Sequence, residues 1–219
     1  MTAAGRDSGG RRGVAARRLL FPALGALLLI VAACPCQARR IPAVEGLEAL
    51  RRAFSGMTDF TADISQEKRL SLMKRALTMN GTVRFRKPDL FYLELNPPYA
   101  SRMVLQDTTI EQVMGTSGER SRVVLPPEQG LKQWFSRLAA PVTALPEGVG
   151  VQADASGSLY TVTITPRARG QVRELVITFQ GDGTIRKLVI VERNGDRATM
   201  IFKKVRRNVG LTDRDFRLE

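Results

Sequence analysis

This sequence contains no histidine at all, two cysteines and a single tryptophan. Each shortage removes a class of chemistry. Without histidine there is no Ser-His-Asp or Cys-His nucleophilic site, no HExxH zinc site and no imidazole acid–base group. The cysteines, Cys34 and Cys36, sit three positions or fewer from one another near the N-terminus. Neither can cross-link a folded domain, so no disulfide framework is expected. Glycine-rich phosphate loops are missing too: Gly181-Asp182-Gly183 falls between strand-like runs instead of opening a helix. Carboxylate pairs such as Asp213 and Asp215 lie in a polar tail and read as solvated charge. The expectation is a protein that is not an enzyme and needs no metal or cofactor.

Among the charges, Lys and Arg outnumber Asp and Glu by 34 to 21, a net +13. That suits anionic lipid, an acidic partner or nucleic acid. The basic residues are spread along alternating runs, with no basic helix or finger motif, which argues against nucleic acid.

Arg11-Arg12 and Arg17-Arg18 precede Leu19–Ala33, an uncharged apolar stretch ending in small residues. This is the pattern of a secretory signal peptide, expected over residues 1–38, with one mature domain over 39–219. A membrane span needs about 20 apolar residues, and Pro22 and Gly25 interrupt this stretch. Two exits are open. Cys36-Gln37-Ala38 fits ordinary cleavage before Arg39. Val31-Ala32-Ala33-Cys34 resembles a lipobox, which would leave a lipidated Cys34.

The mature chain is built around Gly81–Pro98. Val83, Phe85, Lys87, Phe91, Leu93 and Leu95 share one parity, and Arg84, Arg86, Tyr92 and Glu94 the other. One dry and one wet strand face are expected, bent at Lys87-Pro88-Asp89. Lys87 falls on the apolar parity, where a cation needs a reason. Val44–Met57 predicts a helix, with Leu47, Leu50, Phe54 and Met57 on one face. Glu128–Leu138, carrying Leu131, Trp134, Phe135 and Leu138, predicts a second helix between Pro- and Gly-rich flanks, either plain core or a hinged lid. Phe60–Lys68, Leu159–Thr165, Arg173–Phe179 (with Leu175, Ile177 and Phe179), Ile185–Arg193 and Arg197–Val205 alternate as strands. Gly181-Asp182-Gly183 and Asn194-Gly195-Asp196 are hairpin signals. Nine or ten strands, a strand-like tail at Phe216–Leu218 and two helices without a βαβ rhythm predict an antiparallel sheet. Pattern alone leaves the apolar sheet face as ordinary core.

GTVRFRKPDLFYLELNPP resembles the glycine–strand–Lys/Arg-Pro–x–hydrophobic–Phe segment of the LolA family of periplasmic lipoprotein carriers. Phe60–Glu67, Val162–Arg193 and Asp196–Val205 resemble further family segments in the same order. The resemblance implies an unclosed, strongly curved antiparallel β-barrel with an α-helical lid over a hydrophobic cavity. It implies a monomer that takes acylated lipoproteins from an inner-membrane lipoprotein-releasing ABC transporter to an outer-membrane, LolB-like acceptor. Lys87 falls where the family places a basic residue, usually Arg, that holds the lid shut. Phe54, Val83, Phe85, Phe91, Leu93, Leu95, Trp134, Phe135, Leu175, Ile177 and Phe179 are then expected to line cavity and lid. A tethered relative anchored through Cys34, or a lipoprotein-sensing regulator, remain the alternatives.

Overall fold

The computed structural model describes residues 38–73, 75–115, 117–137, 139–167 and 170–218, apart from the side chains of Glu128 and Arg137. Residues 1–37, where the signal peptide is expected, and with them Cys34, therefore lie outside the described residues, as does Leu138. In chain order the elements are β1 (Arg39–Ile41), α1 (Ala43–Ser55), β2 (Asp59–Arg69), β3 (Leu77–Arg86), β4 (Leu90–Leu95), β5 (Ser101–Gln106), β6 (Thr109–Met114) and β7 (Arg120–Val124). There follow α2 (Leu131–Arg137), β8 (Val149–Ser156), β9 (Leu159–Pro166), β10 (Val172–Gln180), β11 (Ile185–Glu192) and β12 (Arg197–Arg207).

All twelve strands form one antiparallel sheet in the order β1-β8-β9-β10-β11-β12-β2-β3-β4-β5-β6-β7. The end strands β1 and β7 do not pair with each other, so the sheet is open. Curvature follows from what α1 touches. Leu47, Leu50 and Ala53 pack with Ala153 of β8, Val162 of β9 and Phe179 of β10. Phe54, near the end of the same helix, also reaches the cluster of Phe60, Val83 and Phe85 on β2 and β3. β8 and β3 are six places apart, about 29 Å in a flat sheet at ~4.8 Å per strand. One helix, roughly 10–12 Å across, meets both only because the sheet wraps around it.

Both hairpin signals form. Gly183 and Gly195 adopt positive φ, 88° and 92°, in the β10–β11 and β11–β12 turns. The alternation in β2 and β3 holds: Phe60, Ala62, Ile64, Val83 and Phe85 all point to the concave core. At Gly81 a Cβ would lie 1.9 Å from the Glu94 carbonyl of β4, so the strand contact there requires glycine.

Four expectations need correction. There are twelve strands because β1 and β8 carry weak sequence signals. β1 has three residues, and β8 places Ala153 and Ala155 on its inward parity where larger apolar residues would be the usual marker. Ala153 is small for a reason: a Cβ on Gly46 of α1 would stand 2.1 Å from its Cβ. The tail does not form a strand. Asp213–Phe216 is a 3-10 turn closed by Thr212 and Asp215 bonding to each other's backbone N–H. Tyr92 is buried instead of wet, in a cluster with Leu90 and Phe216 that Leu211 and Leu218 extend. The C-terminal segment runs across the outer face of β3 and β4 and gives this part of the sheet a second dry side.

That segment also changes the reading of Asp213 and Asp215. Arg86 pairs with the Asp213 carboxylate and donates to the Leu211 carbonyl, while Arg84 donates to the Asp215 carbonyl. The Thr212 backbone N–H, then its hydroxyl, hold the Asp215 carboxyl below the usual range. Asp213 is itself exposed, but both residues fasten the strap.

Candidate functional site

The concave face collects the residues that the sequence singled out. Ladder pairs place Val83 beside Leu93 and Phe85 beside Phe91, while Leu95 pairs with Gly81. Val83, Phe85 and Leu93 are buried, and Phe54, Phe91, Leu95, Phe135 and Ile177 pack against them half-buried. Phe179 is fully enclosed on β10, with Trp134 and Leu175 at the margin of its cluster. Edge-to-face contact joins Phe54 to Phe179 at 6.1 Å, and Phe135 of α2 lies 5.1 Å from Phe85. Both helices thus insert aromatic rings into one apolar trough. Met57 and Leu131, which helical spacing put on apolar faces but the resemblance did not assign to cavity or lid, join the same cluster, and Tyr160 stacks on Phe179 at 5.6 Å.

The second helix is shorter than the spacing implied. A 3-10 turn at Pro127–Gln129 precedes it and Gly130 separates the two. Asp107 fixes its start by accepting from the Lys132 backbone N–H at 3.0 Å.

Lys87 has its reason in the end of α1. Its ammonium donates to the Phe54 carbonyl and lies 5.7 Å from the centre of the Phe135 ring. A carbonyl in the last turn of a helix lacks its intrahelical donor and carries the negative end of the dipole, so it suits a cation. The same strand end is anchored to the junction after α1, where the Lys87 backbone N–H donates to the Thr58 carbonyl at 2.8 Å. Burial, and next the charge of Arg207, lower the pKa of the ammonium from its ordinary value. One side chain therefore bridges the sheet, α1 and the aromatic face of α2.

A second fastening holds the segment after α2. Glu48 of α1 accepts from Arg51 at 2.8 Å, from Arg52 at 3.0 Å and from the Val142 backbone N–H at 3.0 Å. The Arg51 side chain, then the Val142 N–H, hold its carboxyl far below the usual range. A carboxyl whose folded pKa is depressed contributes stability above its ordinary value of 4.5 and loses it as pH falls further. The Val142 amide should therefore begin to lose protection below about pH 5 and go on losing it as pH falls toward the depressed value, and should lose it at neutral pH in Glu48→Gln. Amide exchange, corrected for intrinsic rates, checks this; protection unchanged over that range counts against the fastening.

Two cavities adjoin these fastenings. One of about 210 Å³ lies under residues 140–149, bounded by Leu47, Trp134, Pro141, Val142 and Val151. The other, about 250 Å³, opens at the end of α1 between Arg51, Phe54, Ser55, Lys87, Phe135 and Ala139. Arg207, missed by sequence reasoning, lies near this end of α1, close enough to Lys87 to lower its pKa, though it is not part of the cavity lining. In β12 the pairing shifts from Lys203 with Asp63 to Arg206 with Thr61, one extra residue around Lys204. This bulge reverses the parity of the strand end and puts Arg207 opposite Phe60 on the concave side. Strict alternation would have sent it outward.

Comparisons extend this picture. A search of curated proteins finds no match to the sequence. Among solved structures, the chain is similar to a DUF1329 family protein from Desulfovibrio piger, at 14% identity and a TM-score of 0.47, over 81% of this chain and 98% of that one. A LolA superfamily protein from Nitrosomonas europaea matches at 7% identity and 0.43, over 81% and 98%. A putative outer membrane lipoprotein-sorting protein domain from Vibrio parahaemolyticus matches at 10% and 0.44, over 80% and 97%. Residues 55–219, from the last residue of α1 through every strand after it, match the family model described as outer membrane lipoprotein carrier protein LolA. This chain belongs to the LolA family.

Proposed function

We propose that this protein binds the acyl chains of lipoproteins on its concave face and carries them through the periplasm. It would receive them from an inner-membrane ABC transporter and deliver them to an acceptor at the outer membrane. The observation that carries this reading is the Lys87–Phe54 bond: a cover of helices is fastened over an apolar sheet face by a side chain that can let go. With the cover seated, the cavities of about 210 and 250 Å³ fall below the roughly 300–1,000 Å³ of ordinary ligand pockets. Cargo therefore has to displace the helices. Each methylene buried contributes about 0.8 kcal/mol, and opening the cover offsets part of the sum. That offset is useful to a carrier, which must release what it binds.

Intact mass under native conditions tests the reading, on protein taken without detergent from an envelope that also overproduces an acylated lipoprotein. A chain starting near Arg39 and retaining the lipoprotein is the expected result. A chain starting at an acylated Cys34 replaces free diffusion with the tethered reading that Val31–Cys34 favours. A chain that never retains lipid returns the apolar trough to ordinary core.

A further inference from the structure

Two cations meet at the C-terminal end of α1, and among the described residues neither has a carboxylate in ion-pair contact. Lys87 is bound to the Phe54 carbonyl, an acceptor with no full charge. Arg207 is half-buried beside it, and its Nε is enclosed without a hydrogen-bond partner. A Cβ on Gly183 would lie 3.0 Å from an Arg207 Nη and 2.1 Å from the Ala53 carbonyl, which sets the guanidinium against the last turn of α1. Arg51 is neutralised by Glu48 at 2.8 Å. Asp182 is close enough to be influenced by Arg207, but its carboxylate accepts from the Thr184 backbone N–H at 2.8 Å. The helix end supplies about half a negative charge against two full positive ones. A buried guanidinium nitrogen without an acceptor carries a penalty that an incoming anion would remove.

We propose that this mouth is an anion subsite, and that it takes the phosphodiester of a two-chain phospholipid whose chains enter the apolar trough. The inference rests on the proposed function, since it uses the same trough. A lipid phosphate fits better than a free one because the cavity at Lys87 is walled by Phe54 and Phe135, which also pack into the apolar cluster. A phosphodiester brings several acceptor oxygens where the helix end brings one. Lys87 can exchange the Phe54 carbonyl for a phosphate oxygen, and Arg207, which lies beside the cavity and not in its lining, gains an acceptor for its enclosed Nε by turning toward the same phosphate. Loading the anion and freeing α1 are then the same event.

Calorimetric titration of the mature protein with dihexanoylphosphatidylglycerol, dihexanoylglycerol and inorganic phosphate tests this. The anionic lipid should bind roughly tenfold more tightly than the neutral glyceride, with a gap that narrows as salt is added. Arg207→Gln should abolish the gap, and Arg207→Lys should restore most of it. Equal affinities in the wild type, or a gap that survives Arg207→Gln, overturn the subsite while the carrier reading stands. Inorganic phosphate binding as tightly as the lipid overturns the lipid assignment. Binding of none of the three overturns both readings.

Discussion

Lys87→Met should raise the affinity for a neutral acyl probe roughly tenfold and slow its release. The ammonium makes a charge-assisted bond to the Phe54 carbonyl that exists only while α1 is seated. Such bonds contribute about 1.5–3 kcal/mol when well sheltered, and the half-exposed position of Lys87 places this one at the low end. Methionine keeps an unbranched apolar stem against Phe135 and removes only the donor. The Phe54 carbonyl still receives the Met57 backbone N–H at 3.2 Å, so the helix end keeps a partner. Closing becomes less favourable, and ligand no longer works against the latch. Lys87→Arg should shift affinity the other way, because a planar fork can engage two helix-end carbonyls at once. Displacement of a fluorescent monoacylglycerol reads both variants. Unchanged or weaker binding in Lys87→Met would remove the latch from the mechanism.

Asp59→Ala should lower stability by about 3 kcal/mol, a fall in Tm of roughly 6–12 °C for a domain of this size. Asp59 is buried at the start of β2, and its carboxylate accepts from the Val209 N–H at 2.7 Å, the Gly210 N–H at 3.2 Å and the Thr58 hydroxyl at 3.2 Å. Nothing in an alanine side chain can replace three acceptor bonds. The backbone groups left behind would be unsatisfied, and the strap that covers Leu90 and Tyr92 would lose its first anchor. Asn208 adds to this junction. Its side chain receives the Thr58 N–H at 2.8 Å and donates to the Gly56 carbonyl at 3.0 Å. Loosening the strap therefore also loosens the junction that follows α1. Thermal unfolding together with hydrogen exchange over residues 208–218 separates the two effects. A Tm within about 2 °C of wild type would mean that the strap is held by its apolar contacts alone.

The trough was legible in the sequence because its signals are local. Val83, Phe85 and Lys87 declare their face by parity, and Leu47, Leu50 and Phe54 declare theirs by helical spacing. Lys87 stood out as a cation on a dry face, and the structure supplies its acceptor in α1. Tyr92 was misassigned because the residues that bury it, Leu211, Phe216 and Leu218, come more than a hundred positions later. Parity states that two faces differ only when one of them is left to water. Arg207 was missed for another reason: a single bulge residue at Lys204 inverts every side chain beyond it, and no turn residue marks the spot.

By itself, then, the sequence determined the class of fold and ruled out one kind of chemistry, that built on histidine. Absent histidine removed the histidine-dependent catalytic sites, and alternation punctuated by Gly-Asp-Gly and Asn-Gly-Asp made an antiparallel sheet. Those are properties of neighbours along the chain, where geometry fixes the period. Tertiary structure alone decided how far the sheet curls, that Gly46 and Ala153 let α1 settle on β8, and which cations gather at the helix end. These depend on approach between distant segments, and the physical terms that govern them, close packing and desolvation of charge, have no period to read.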